Sequence, residues 1–144
     1  MMRNKAQTIG NLIEKQGVSF IASVDGNGFP NMKAMLAPRR REGIREFWFT
    51  TNTSSMRAGH YAQNPKAAVY FYDKKFYRGV QLTGTMEVLT DAAVKEDIWR
   101  DGDETYYPGG VNDPDYCVLK FTAQRGRYYC NYKSEDFAVE QIIV

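Results

Sequence analysis

The chain reads as a mainly β protein, an antiparallel sheet of six or seven short strands closed into a barrel with two or three helices over its openings. Three observations predict this. Stretches rich in apolar and β-favouring residues follow one another across short turns, which only antiparallel neighbours allow. Asp25-Gly26-Asn27-Gly28 is a strong hairpin signal, because Gly and Asn accept positive φ cheaply. Aromatics are 14% of the 144 residues, with 10 Tyr and 8 Phe, a composition that favours strands and flat-ring ligands. One compact domain over residues 1–144 is expected at this length.

Ala6, Ile9, Leu12 and Ile13 are spaced for one face of a helix that ends at Gly17. Val18 to Val24 reads as a strand with Val18, Phe20, Ala22 and Val24 on one face. After the hairpin, a second strand runs from about Asn31 to Ala37. Arg39 to Gly43 turns the chain, and Ile44 to Thr50 is a third strand. Ser54 or Ser55 caps a helix that ends near Asn64, because Pro65 disfavours helix at the residue before it. Gly59 inside that helix costs about 1 kcal/mol against Ala and suggests a close approach.

Ala67 to Tyr72 is an apolar strand, and Tyr77 to Leu89 a long one bent at Gly84. Thr90 or Asp91 starts a helix through Trp99 that stops at Gly102. Tyr116 to Thr122 and Tyr128 to Tyr132 are expected to pair across a turn at Gln124 to Arg127. The tail from Ser134 to Val144 is open between strand and helix.

Composition excludes several classes. Nineteen basic against seventeen acidic residues leave a net charge of +2, too weak a bias to imply nucleic acid. Arg39-Arg40-Arg41 reads as a solvated loop. Nothing approaches the roughly 18 to 20 apolar residues of a membrane span, and Met1 to Gln7 lack the apolar run of a signal peptide. A cytoplasmic location is therefore expected. Cys117 and Cys130 read as reduced thiols. The single histidine, His60, reads as a helix-surface residue, and no ligand-spaced cluster predicts a metal. No Gly-x-Ser-x-Gly elbow, Gly-x-Gly-x-x-Gly or Walker sequence is present.

The most informative stretch is Phe47-Trp48-Phe49-Thr50-Thr51-Asn52-Thr53-Ser54-Ser55-Met56-Arg57. Aromatics on a strand stop at hydroxyls, which open a helix with an arginine in its first turn. Helix N–H groups, hydroxyls and a guanidinium together suit a phosphate, beside apolar walls for a ring. An ordinary strand and a well-capped helix fit the same residues. A chain poor in intrinsic catalytic groups either binds without reacting or borrows its chemistry from an organic cofactor.

Asp25 to Met35, Phe49 to Arg57 with Asn64-Pro65, Arg78-Gly79-Val80 to Gly84, and Tyr107-Pro108-Gly109-Gly110 to Tyr116 resemble, in order and spacing, one family. It is the flavin-binding split barrels related to pyridoxamine 5′-phosphate oxidase, in the branch of general stress protein 26. The resemblance implies an antiparallel Greek-key split β-barrel, a homodimer, and FMN held between the subunits. It places Lys33 as a basic phosphate contact, Ala34 and Met35 along the flavin, and Thr50, Thr51, Ser55 and Arg57 on the phosphate side. Met56 stands where a basic residue is common. Trp99, Tyr107 and Tyr129 fall in segments that approach the partner's flavin.

This chain has Gly79 where the oxidases carry a glutamine, with Gln81 two residues on, and Pro38 where they carry a lysine, with Arg39 beside it to stand in. It also lacks a recognisable Arg-x-His segment, so an activity other than vitamin B6 oxidation is expected. The implied function is an FMN-dependent oxidoreductase with a small-molecule redox substrate and no catalytic side chain. Alternatives are a flavin-storage or stress protein, the same barrel with F420 or haem, and a barrel that stacks single-stranded nucleic acid.

Overall fold

The computed structural model describes residues 4–142, so Met1 to Arg3 and the last two residues of the tail lie outside the described residues. Helix α1 (Lys5–Glu14) begins at Asn4, whose side chain accepts from Gln7 N, and buries Ile9, Leu12 and Ile13. Eight strands then form one antiparallel sheet: β1 (Val18–Val24), β2 (Pro30–Leu36), β3 (Arg40–Glu42), β4 (Glu46–Asn52), β5 (Lys66–Asp73), β6 (Arg78–Leu89), β7 (Tyr116–Cys130) and β8 (Lys133–Ala138). Their order is β2-β1-β5-β6-β7-β4-β3, with β8 beside β7. Helix α2 (Met56–Gln63) links β4 to β5, α3 (Ala92–Ile98) follows β6, and α4 (Val139–Ile142) follows β8.

The sheet curls around one apolar core. Phe47 of β4 lies 5.7 Å from Phe71 of β5 and 6.1 Å from Phe121 of β7, ring centre to ring centre. Ile9, Leu12, Ile21, Val69, Leu82 and Phe137 fill the space around them. A smaller cluster of Trp48, Ile98, Tyr107, Tyr116 and Val118 packs on the other side of β4 and β7. The outermost strands, β2 and β3, do not pair with each other. That gap is the split in the barrel.

The first hairpin forms as its sequence dictates. Gly28 sits at φ +83°, and the Asp25 carboxylate accepts from the N–H groups of Asn27 and Phe29. The bend at Gly84 also forms, as a register shift between Thr83 and Gly84. A Cβ on Gly84 would lie 1.9 Å from the Thr122 carbonyl oxygen, so only glycine lets β6 and β7 close there. Gly84→Ala is expected to cost about 2 kcal/mol as an overpacked contact that backbone must absorb. A urea titration measures it, and an unchanged midpoint would show that the bulge shifts freely.

Four expectations are corrected. Arg39 to Gly43 is not all turn, because Arg40–Glu42 forms strand β3 against β4. Its arginines are not solvated as a run: Arg40 pairs with Asp97 and stacks 4.1 Å over Trp48, and Arg41 pairs with Glu14 at 2.8 Å. Gln124 to Arg127 does not turn either, since β7 runs unbroken through it. Gly126 is small because Phe137 packs on it: a Cβ would meet that ring at 2.3 Å. The turn comes later, at Asn131-Tyr132, with φ of +52° and +61°, the twist of a two-residue hairpin turn.

The apolar face of β1 also faces the unexpected way. Ser19, Ile21 and Ser23 point into the fold, whereas Val18 and Phe20 are exposed. Nearly every residue of this strand is apolar or small, so alternation alone does not choose a side. The buried hydroxyls find partners: Ser19 donates to the Leu36 carbonyl, and Ser23 shares a 2.8 Å hydrogen bond with His60 Nδ1. Lastly, a Cβ on Gly59 would meet nothing within 4 Å, so no described residue explains that glycine. The open tail resolves into β8 and α4 over its described part.

Candidate functional site

The split between β2 and β4 holds a cavity of about 300 Å³, within the size range of small-ligand sites. Lys33, Ala34, Met35 and Leu36 of β2 line one side, and Phe49, Thr50, Thr51 and Asn52 of β4 the other. Arg57, Arg39 and the loop residues Tyr106 and Tyr107 close it. Residues of β2 and β4 at least 13 positions apart in sequence (Leu36 to Phe49) meet here because the β2 end of the sheet comes against β4 without pairing to it.

The cationic end is built from β4 and the first turn of α2. Ser55 is the N-cap, and its hydroxyl accepts from Ala58 N at 3.2 Å. This cap fixes the helix start and with it the place of Arg57 two residues on. Arg57 donates from one terminal nitrogen to the Thr51 hydroxyl at 3.1 Å. Its Nε is buried and has no hydrogen-bond partner among the described residues. Such a donor is costly unless an acceptor meets it. Lys33 is exposed and makes no ion pair among the described residues. The preceding loop is rigid: Asp115 accepts from Asn52 Nδ2 at 2.9 Å and from Ser54 N at 2.8 Å. The Ser54 hydroxyl first, then the Ser54 N–H and the Asn52 amide, hold the Asp115 carboxyl below its ordinary range.

The loop side of the lining is aromatic. Tyr107 is buried, and its ring lies 4.8 Å from Tyr116 and 6.2 Å from Trp99. Burial pushes the Tyr107 hydroxyl up, and a hydrogen bond with Thr50 opposes this. Tyr116, behind it, is pushed up to about 12, chiefly by burial. Arg39 runs beneath, bound at both terminal nitrogens by Asp103 at 2.8 and 2.7 Å. The pair is almost sealed, with side chains 10% and 6% exposed. Its hydrogen bonds lower the Asp103 carboxyl and raise the Arg39 guanidinium. Arg39 therefore spends its fork on Asp103 and is not a free substitute for the lysine expected at Pro38.

Six residues named for the flavin thus meet at one cleft, Lys33, Ala34, Met35, Thr50, Thr51 and Arg57, and Tyr107, expected toward the partner's flavin, lines the cleft of its own chain. Ser55 acts one step back, as the helix cap, and Met56 is exposed beside it. Trp99 backs Tyr107 rather than lining the cleft. Gln81 and Tyr129 are elsewhere: Gln81 lies exposed on β6 opposite Tyr70, and the Tyr129 ring is 6.4 Å from Tyr70. Leu36, Asn52 and Tyr106 also line the site without having been named for it, and Arg39, named beside Pro38, is held there by Asp103. Arg39 carried a local signal in its basic run, whereas Asp103, 64 positions away, carried none.

The sequence profile of the pyridoxamine 5′-phosphate oxidase family matches residues 6–130. The chain belongs to that family. A crystal structure of a protein related to general stress protein 26, from Clostridium acetobutylicum, superposes with a TM-score of 0.89 at 38% identity over 98% of this chain and 99% of that one. A general stress protein 26 from Jannaschia sp. CCS1 gives 0.70 at 25% identity over 88% and 78%. The fold is therefore the split barrel of the pyridoxamine 5′-phosphate oxidase family, mainly β with few helices. The curated pyridoxine/pyridoxamine 5′-phosphate oxidase of Caulobacter vibrioides is 35% identical over 72 residues, 50% of this chain and 32% of that protein. That of Azorhizobium caulinodans is 36% identical over 72 residues, 50% and 33%. The matched segment thus spans about a third of each oxidase. Among the described residues no helix is long and apolar enough to cross a membrane, and no three His, Cys, Asp or Glu side chains group for a metal.

Proposed function

We propose that the β2–β4 cleft binds FMN and that the protein is an FMN-dependent oxidoreductase acting on a small molecule. The observation that carries this is the buried, unpartnered Arg57 Nε beside Thr51. A phosphate has oxygens to meet that donor, and the unpaired Lys33 and the open N–H groups at the start of α2 add to the same pole. The apolar run of Ala34, Met35, Leu36 and Phe49 suits the flat ring system. When bound, the isoalloxazine supplies the hydride or electron transfer. The chain's residues bind and orient it, and none is assigned as acid, base or nucleophile.

Two copies of the chain complete the site in this reading. The outward face of β1, β2 and β5 exposes Val18, Phe20, Met32, Leu36 and Tyr72, an apolar band larger than scattered surface residues explain. Pairing through it covers that band and gives the cleft a second wall, to which Trp99, Gln81 and Tyr129 of the other subunit are assigned. A deeper cleft buries more of a ligand than a 300 Å³ groove does.

Oxidase action on pyridoxamine phosphate is not part of the proposal, because the curated oxidases match over only a third of their length. Flavin storage is the second reading, since a cleft that only binds and orients FMN serves it equally. Anaerobic rapid mixing of the FMN-loaded protein with NADH and with NADPH separates the two. Bleaching of the flavin band with either donor is expected for the oxidoreductase. An unchanged band with both overturns it in favour of storage.

A further inference from the structure

A second cavity, of about 630 Å³, lies between the tips of the β5–β6 and β7–β8 hairpins. Phe76 and Tyr77 come from one tip, and Tyr129, Tyr132, Lys133 and Ser134 from the other. Within one chain it shares no lining residue with the β2–β4 cleft, and only Tyr129 is also assigned, in the two-copy reading, to the partner's cleft.

Two of its tyrosines stand where the backbone disfavours them. Tyr77 has φ +50° and Tyr132 φ +61°, the left-handed region that a bulky side chain enters at a cost. Glycine is the ordinary residue at the second position of a two-residue turn such as Asn131-Tyr132. The fold gives no return for these rings. Tyr132 is fully exposed, and Tyr77 and Phe76 are 79% and 57% exposed. Tyr77 meets only Tyr72, edge-on at 6.5 Å, among the described aromatic pairs. Two costly and exposed aromatic choices therefore face one cavity. Strain kept without a packing reason points to function.

The chemistry of the walls selects a ligand class. Aromatic faces bind flat rings by stacking. The rim is cationic: Lys133 lines this cavity and Lys15 the one adjoining it. Neither makes an ion pair among the described residues. Ser134 adds a hydroxyl. We infer that the hairpin-tip cavity is a second binding site, for a planar aromatic molecule carrying an anionic group, clamped between Tyr77 and Tyr132 with its charge toward Lys133. Its clamping residues, Tyr77, Tyr132 and Lys133, have no part in the flavin cleft.

The probe is 2-naphthoate, titrated by calorimetry into the protein preloaded with FMN, with cyclohexanecarboxylate as the non-aromatic control. Saturable binding of naphthoate and none of the control is expected. The Tyr77→Gly/Tyr132→Gly variant should bind about tenfold more weakly or worse, roughly the loss of one stacked ring. It should also melt at a higher temperature than the wild type, because glycine relieves both left-handed residues. Lys133→Gln should weaken binding without changing the melting temperature. Equal binding of the two acids, naphthoate binding that survives the double glycine variant, or release of FMN by naphthoate would overturn the site. So would no naphthoate binding, and a self-association that the glycine variant abolishes would then make the tips a contact between copies.

Discussion

Arg57→Ala is expected to weaken FMN binding by on the order of 100-fold, the equivalent of about 3 kcal/mol for a charge-assisted contact to phosphate. The fold should survive, because the helix start depends on the Ser55 hydroxyl and not on the guanidinium. Its Thr51 contact is a single hydrogen bond of 3.1 Å, and the buried Nε contributes nothing to the protein alone. Removing an unsatisfied buried donor relieves a cost. The variant should therefore be as stable as the wild type without flavin and less stabilised by it, since a ligand protects a fold in proportion to its affinity. Lys33→Ala, which removes an exposed charge, should lose less. Flavin fluorescence titration measures the affinities, and melting curves with and without FMN measure the linkage. A variant that loses stability without ligand would show that Arg57 serves the fold instead.

The second large effect is expected at Arg39 and Asp103. These side chains are nearly sealed and joined by two parallel hydrogen bonds. Breaking such a pair from one side strands a buried charge, at a cost of about 3 to 5 kcal/mol. Arg39→Ala should cost this much, and so should Asp103→Ala, which also releases the Arg100 N–H that Asp103 holds at 2.9 Å. Replacing both together should cost less than the sum of the two, as coupled neighbours do.

The pH dependence has a definite sign. The Asp103 carboxyl titrates below its unfolded value, because Arg39 hydrogen-bonds to the ionised form. Its contribution is therefore whole above about pH 4, the unfolded carboxylate value, and is lost as pH falls through the lower folded value. The wild type should destabilise in acid more steeply than Asp103→Asn. Parallel acid limbs in urea titrations of the two proteins would contradict this.

What the sequence revealed of this site follows the range of the interactions. The hairpin at Asp25 to Gly28 and the Ser55 cap involve residues a few positions apart, so their spelling is local and readable. Thr51 and Arg57 are six apart and meet through one helix start. Asp103 and Arg39 are joined only by the folded sheet, and no periodicity in either segment announces them. Glycine misled in one place. Gly126 predicts a turn, yet it is small to admit Phe137 from the neighbouring strand, a reason that exists only in three dimensions. The turn itself sits at Asn131-Tyr132, where a tyrosine hides the signal that glycine ordinarily gives. On β1, apolar residues exceed what one face needs, and Val18 and Phe20 end outside the core. A strand whose exposed face is as apolar as its buried one is the pattern expected of a surface that meets another chain.

Equilibrium titration of the cofactor-stripped protein with FMN, followed by quenching of flavin fluorescence, tests the central claim most directly. Saturation at one flavin per chain, with that stoichiometry kept and the affinity sharply reduced in Arg57→Ala, is the expected result. Flavin that stays free at concentrations far above those of the protein, or that binds Arg57→Ala as tightly as the wild type, would remove the phosphate cradle from the β2–β4 cleft.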